Sequence, residues 1–219
     1  MDAIVTAAGK NSRMINDFKK MNKKPVHKLR LELNNKPILV HTLEKIFASE
    51  IEDVTVCLGH HKEEILNILQ EYSLEDKVNI SINENPRVGL SKTIENALKN
   101  RQDKYYLYAA ADQPTLTTKT INNMIKVLRE SEHPENTISI LRRRKTGKLD
   151  TAEGLGMPFC CYGKLLYRYI YDKDDNLNPI LREMIKDNVE FYAIKEENEL
   201  ELLNINPYEE YLKIKKKMG

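Results

Sequence analysis

The sequence has no tryptophan, four phenylalanines, three cysteines and eight glycines in 219 residues. Cys57, Cys160 and Cys161, two adjacent and one distant, exclude a disulfide framework and the paired spacing of a zinc site. All three read as small buried apolar residues. The scarcity of glycine removes two common nucleotide fingerprints. There is no Gly-x-Gly-x-x-Gly, and Gly9-Lys10-Asn11-Ser12 lacks the first glycine of a phosphate-binding Gly-x-x-x-x-Gly-Lys-Ser/Thr loop. No Ser/His/Asp order with a nucleophile elbow is present. No apolar run approaches the ~18 residues of a membrane helix, and the first residues carry no basic, signal-like region. No membrane and a cytoplasmic location are therefore expected. Charge of one sign is also missing: 35 basic and 33 acidic side chains leave +2, too balanced to argue for nucleic acid. With no Gly/Ser/Pro linker and no repeat, one domain over 1–219 is expected.

The chain is 41% hydrophobic, enough to bury a core. Its organising stretch is the first. Ala3 to Ala8 is a short apolar run that reads as a buried strand and stops at Gly9, in a polar loop carrying Lys10, Ser12 and Arg13. Backbone N–H groups in such a loop can point at phosphate oxygens, and a glycine lets the backbone come close. From Lys19 to Arg30 there are six Lys or Arg residues and no acid. This self-repelling stretch over 16–28 is expected to form no packed element, either as a solvated loop or as a lid meeting polyanionic phosphate.

Beyond it, strand and helix alternate. Helices are expected over Ile38–Ala48, Glu63–Tyr72 and Lys119–Glu130, with another capped by Ser91. Strands are expected at Val54–Leu58, Val78–Ile82 and Tyr105–Ala110. The repeated pattern with short connections predicts an α/β fold, a mostly parallel sheet covered on both faces, with the ligand across the C-terminal strand edges. Gly9, Gly59, Gly89 and Asp112 fall at that edge. His60 and His61 read as a polar strand-end loop, since adjacent histidines point apart. The last third is less regular: strands at Thr137–Leu141 and Val189–Ile194, helices at Leu165–Tyr171 and Asn178–Ile185, and a closing helix with Tyr208, Tyr211 and Ile214 inward.

Asp112 follows the apolar run Leu107–Ala111 and is too costly to bury unpaired. A strand tip would present it to a divalent cation, which takes one or two carboxylates plus phosphate oxygens and water. The other reading is a helix cap. Lys10, Arg13 and Lys28 are candidate phosphate clamps or solvated surface residues. Nucleotidyl transfer needs positive charge around the attacked α-phosphate and the leaving pyrophosphate, and little else.

These residues meet a family. Ala7-Ala8-Gly9-Lys10-Asn11-Ser12-Arg13-Met14 resembles the AAGxSxRM signature of nucleotidyltransferases with the glycosyltransferase-A-like Rossmann fold. Lys28 with Asn35-Lys36-Pro37-Ile38-Leu39-Val40-His41-Thr42-Leu43, Asn85-Pro86 with Gly89-Leu90-Ser91, and Ala111-Asp112-Gln113-Pro114 resemble further blocks. So do Gly156-Met157-Pro158 and Asn204-Ile205-Asn206-Pro207, all in the family's order. Molybdenum cofactor cytidylyltransferases are the most similar subfamily, because Ala-Ala-Gly and Asp-Gln-Pro accompany pyrimidine use there. The resemblance implies a single-domain, three-layer α/β/α architecture, with 1–130 holding nucleotide and 131–219 the acceptor.

It also implies that Ala7, Ala8 and Gly9 meet the base, and that Lys10, Ser12, Arg13 and Lys28 meet the triphosphate. Asn85, Gly89 and Ser91 would lie near the nucleotide. Arg13, Lys28 and Asp112 would be catalytic, and Asp112 with Asn206 would hold Mg²⁺, or Mn²⁺. The implied reaction moves CMP from CTP to a phosphorylated small-molecule acceptor, molybdopterin first, with release of pyrophosphate. A cofactor-accepting enzyme would be a transient partner. Guanylyl transfer, a sugar or alditol phosphate acceptor, and a non-catalytic nucleotide-binding delivery protein are the alternatives. The family's glycine after Arg-Met is Ile15 here, and the glycine before Asp-Gln-Pro is Ala111.

Overall fold

Side-chain alternation fixes the centre of the molecule. In the computed structural model, which describes residues 1–218, Asp2–Thr6 form β1. Ala3 and Val5 face one apolar cluster and Ile4 the other, and all three are buried. A strand apolar on both sides needs cover on both faces.

The chain continues through α1 (Ser12–Lys20), the short β2 (Glu32–Leu33) and β3 (Lys36–Pro37), α2 (Ile38–Phe47), β4 (Val54–Leu58) and α3 (Lys62–Glu71). Next come β5 (Asn79–Ile82), α4 (Leu90–Leu98), β6 (Tyr105–Ala110) and α5 (Thr118–Arg129). The last third supplies β7 (Thr137–Leu141), β8 (Gly147–Leu149), β9 (Phe159–Tyr162), α6 (Gly163–Ile170), α7 (Leu177–Lys186), β10 (Glu190–Ile194) and α8 (Tyr208–Met218).

Eight strands form one sheet in the order β5-β4-β1-β6-β9-β7-β10-β8. The pairs β4–β5, β1–β4, β1–β6 and β7–β10 are parallel. β9 runs antiparallel between β6 and β7, and β8 antiparallel beside β10. One face is covered by α1, α2, α3, α5 and α8, the other by α4, α6 and α7. The expected mostly parallel, doubly covered sheet is present. β5 is its edge, which leaves Ile80 and Ile82 38% and 47% exposed.

The chain leaves β1 toward β4 and β5, then crosses back to β6 on the other side of β1. That reversal opens a crevice at the carboxyl ends of β1 and β6. The Ala111 N–H donates to the Thr6 carbonyl at 3.1 Å, tying the two tips together.

Two expectations are corrected. The first half of the basic stretch is packed: Met14 and Phe18, four residues apart, lie on one face of α1 and are buried. The Phe18 ring meets the Tyr208 ring edge-on at 5.2 Å. The cations do not oppose this because they project from the other side, with Lys19 and Lys20 in the last turn, where the helix dipole favours positive charge. Ser91 does not cap α4. The cap position is Gly89, and Ser91 lies inside the helix, fully buried.

Candidate functional site

The crevice holds a cavity of about 220 Å³. Its walls are the three strand-to-helix connections that the topology brings together. Thr6, Ala7, Ala8 and Gly9 come from the end of β1, Gly89, Leu90 and Thr93 from the start of α4, and Ala110, Ala111 and Asp112 from the end of β6. A Cβ at Gly9 would meet nothing within 4 Å, so the backbone there is open to a ligand. Gly59 has the opposite role. A Cβ on it would stand 2.8 Å from the Ala8 carbonyl oxygen, so only glycine lets the tip of β4 support the loop.

Lys28 reaches this cavity from a loop that Asn11 holds in place. The Asn11 side chain donates to the Val26 carbonyl at 3.3 Å and accepts from the Lys28 N–H at 3.3 Å. Asn11 itself is left-handed (φ 55°), a conformation its short polar side chain tolerates. The Lys28 ammonium donates to Asp112 Oδ2, and to Asn206 Oδ1 at 2.9 Å. Asp112 is 6% exposed, and its Oδ1 is buried with no hydrogen-bond partner.

That orphaned oxygen is a donor that a cation could use. Oδ1 of Asp112 and Oδ1 of Asn206 are hard oxygen donors of the kind Mg²⁺ and Mn²⁺ take. Among the described residues no group of three or more His, Cys, Asp or Glu side chains could hold a metal unaided. A cation here would draw its remaining ligands from phosphate and water.

His27 lines the same cavity beside Lys28. Its Nδ1 accepts from the Leu29 N–H at 3.3 Å, and its ring lies 4.7 Å from that of His61. Burial, with His61, Lys28 and Arg30 nearby, pulls its pKa down to about 3. The ring is therefore neutral in a cationic corner. The His60–His61 pair forms a strand-end loop, and the two rings differ in their surroundings: His61 Nε2 meets the Lys10 carbonyl at 3.2 Å, while His60 Nδ1 is buried without a partner.

A second cavity of about 480 Å³ adjoins the first and shares Leu90, Ala110 and Met157 with it. Its far walls come from 154–157, 176–178 and 202–206, with Arg143 and Glu210. Gln113, 1% exposed, binds the two cavities together. Its Oε1 accepts from the Ala110 N–H at 3.1 Å, and its Nε2 donates to the Met157 carbonyl at 3.1 Å and to Asn204 Oδ1 at 2.9 Å. A groove of about 430 Å³ at the opposite, N-terminal strand edge includes Asp2 and Lys104, already paired at 2.8 Å, and lies away from this chemistry.

Of the residues singled out from the sequence, Ala7, Ala8, Gly9, Lys28, Gly89 and Asp112 line one cavity, and Asn206 joins them through Lys28. Lys10, Ser12 and Arg13 are exposed around the start of α1, outside that lining. Asn85 is exposed and turns back to accept from the Arg87 N–H at 3.0 Å. Ser91 points to another loop: its hydroxyl donates to the Lys173 carbonyl at 2.9 Å and accepts from the Asp175 N–H at 2.8 Å. Sequence reasoning missed Asn11, His27 and Arg143. Asn11 sits inside the signature as an unassigned residue, while the other two lie within basic runs that gave no reason to choose one member.

Residues 3–187 match the MobA-like NTP transferase domain. The chain is similar to a nucleotidyl transferase from Methanothermobacter, at 32% identity and a TM-score of 0.89, covering 99% of this chain and 96% of that one. It is 29% identical over 126 residues to the bifunctional protein GlmU of Desulfitobacterium hafniense, which takes in 57% of this chain and only 25% of that relative's length. Two structures share the fold at lower identity. A CMP:2-keto-3-deoxy-manno-octonic acid synthetase complexed with CTP gives a TM-score of 0.66 at 11% identity, covering 99% of this chain and 97% of that one. The Rv0371C protein of Mycobacterium tuberculosis, in complex with manganese, gives 0.67 at 13%, covering 98% and 97%.

Proposed function

The chain belongs to the MobA-like NTP transferase family, and we propose that it transfers CMP from CTP to a phosphorylated small molecule with Mg²⁺, releasing pyrophosphate. Molybdopterin is the leading acceptor, and the cytoplasm the proposed location. The observation that carries this reading is the buried Asp112 carboxylate at the tip of β6. One of its oxygens is engaged by Lys28 and the other lacks a partner, beside the cavity that follows β1.

In this reading Ala7, Ala8 and Gly9 cradle the nucleoside. The triphosphate runs toward Lys28, whose ammonium gives up its carboxylate and amide partners for phosphate oxygens. Asp112 and Asn206 would hold the divalent cation, which would supply charge neutralisation at the α-phosphate and on the leaving pyrophosphate. Lys10, Ser12 and Arg13, exposed around the start of α1, close over the distal phosphates. Chemistry then needs only in-line positioning, since the attacking group is already an anion. The manganese-bound and CTP-bound proteins of the same fold support a metal and a pyrimidine nucleotide. Residues 131–219 supply the acceptor side through the second cavity.

A thermal-shift panel of CTP, GTP, UTP and ATP with Mg²⁺ tests the nucleotide, because a ligand that binds the native state raises its stability. CTP is expected to give the largest shift. A shift with GTP alone would overturn the pyrimidine assignment. Pyrophosphate release from CTP with candidate acceptors then tests transfer.

A further inference from the structure

Three arginines, Arg142 to Arg144, follow β7 in succession, and the fold treats the first two differently. Arg142 meets its acid: its Nε and Nη2 both bond the carboxylate of Glu196. Arg143 lines the second cavity. Its Nη2 donates to the Met157 carbonyl at 3.1 Å, and its Nη1 is buried with no hydrogen-bond partner. Among the described residues no acid pairs with it, and burial without a compensating charge draws the guanidinium below the ordinary arginine value. Arginine does not escape burial by losing its proton. A half-buried guanidinium with one buried nitrogen unpartnered and no carboxylate beside it therefore suits an anion that the protein does not itself supply.

The surroundings of Arg143 are well defined. The Met157 carbonyl that orients Arg143 also accepts from Gln113, whose Oε1 is fixed to the Ala110 N–H two residues before Asp112. Met157 lines both cavities, so Arg143, bonded to it through Nη2, stands beside the partition between them. Besides Arg143, the only titratable side chain among the described residues lining the second cavity is Glu210, and its Oε2 already accepts from the Asn206 N–H at 3.2 Å. The cavity offers little to deprotonate an alcohol, whereas a phosphomonoester dianion needs no base.

We propose that Arg143 binds the phosphomonoester of the acceptor and holds its attacking oxygen at the boundary of the two cavities. The assignment rests on the nucleotidyltransferase reading above and adds to it the residue that holds the acceptor's reactive end. In the step it serves, a phosphate oxygen forms a bond to the α-phosphorus with its own lone pair. The bond from the α-phosphorus to the bridging oxygen breaks, and pyrophosphate leaves with that electron pair. No proton is removed and no further reactant is required.

The test uses the full chain with Mg²⁺ and a non-cleavable α,β-methylene analogue of CTP, titrated calorimetrically with inorganic phosphate and, separately, acetate. Phosphate is expected to bind the loaded wild type more tightly than acetate. Arg143→Gln should weaken phosphate at least tenfold, and Arg143→Lys should recover part of the loss. The thermal shift given by the analogue alone should be equal in all three proteins, and the unliganded Arg143→Gln protein should melt no lower than wild type. Unchanged phosphate binding in Arg143→Gln, tighter acetate than phosphate, or a lower unliganded melting point would overturn the assignment. Loss of the analogue's own shift in Arg143→Gln would hand the residue to the triphosphate and overturn it too. If the wild type shows no shift with any nucleotide, the nucleotidyltransferase reading fails. If the shift stands and phosphate does not bind, this inference alone fails.

Discussion

Lys28 and Asp112 stand 84 residues apart in the chain and form an ion pair at the wall of the cavity between β1 and β6. Their side chains are 16% and 9% exposed, so little water screens the pair. The isosteric Asp112→Asn change keeps the shape and removes the charge that a cation needs. Pyrophosphate release is expected to fall by about three orders of magnitude or more, with the fold retained by circular dichroism. Near-normal turnover would overturn the metal role proposed for Asp112.

Lys28→Met leaves the Asp112 carboxylate buried with no counter-charge. It is expected to cost about 1–3 kcal/mol of stability at pH 7, from the desolvation of an unsatisfied group, and about 10²-fold in kcat/KM. The double variant Lys28→Met, Asp112→Asn should regain stability without regaining turnover. Urea unfolding of the three proteins checks this. A double variant no more stable than Lys28→Met would show that the pair does not carry the energy assigned to it.

Gly59 lies outside the lining of the cavity between β1 and β6, yet its Cα backs the Ala8 carbonyl. Gly59→Ala is expected to displace Ala8, lower stability by about 1–3 kcal/mol through overpacking, and weaken the nucleotide-induced thermal shift. A full shift in that variant would separate the loop's position from nucleotide binding.

His27 gives the protein an acid-side liability. Its folded pKa lies near 3, while the unfolded chain binds a proton near 6.5. Between those values the unfolded state holds more protons, so stability falls as pH falls, by up to about 1.4 kcal/mol per pH unit from this group. His27→Asn keeps an acceptor for the Leu29 N–H and removes the titration. Urea unfolding at pH 7, 6 and 5 should show a flatter profile for the variant; parallel profiles would assign the acid sensitivity elsewhere.

The three cysteines are buried, and burial raises the Cys57 thiol to about 12 and the other two as well. Thiolate is the reactive form. A thiol-directed disulfide reagent at pH 8 should label none of the three in the native protein and all of them in urea. Rapid native labelling would contradict the packing of β4 and β9.

The strands at Val54–Leu58, Tyr105–Ala110 and Thr137–Leu141 were legible because a buried strand is an apolar run bounded by polar residues, and that signal is local. The crevice was legible for the same reason, since strand ends in alternating α/β chains point one way. α1 was not, because its two buried apolar residues, Met14 and Phe18, are spaced four apart among cations whose number dominated the reading. The partners of the site side chains were out of reach too. Asn206 meets Lys28 across 178 residues, and Ser91 spends its hydroxyl on a loop 82 to 84 residues away. A residue's type can say that it needs a partner, but only the fold says which one it finds.

β9 carries a consequence for biogenesis. It is made after β7 and β8, yet it slots between β6 and β7 and bonds to both. Until Phe159–Tyr162 has left the ribosome, Tyr106, Leu107 and Tyr108 present an unpaired apolar edge to the cell. The nascent chain therefore passes through a window in which its first half is nearly built but adhesive. A fragment ending before residue 159 is expected to pellet or to recruit chaperones, and co-expression of the missing piece should rescue it.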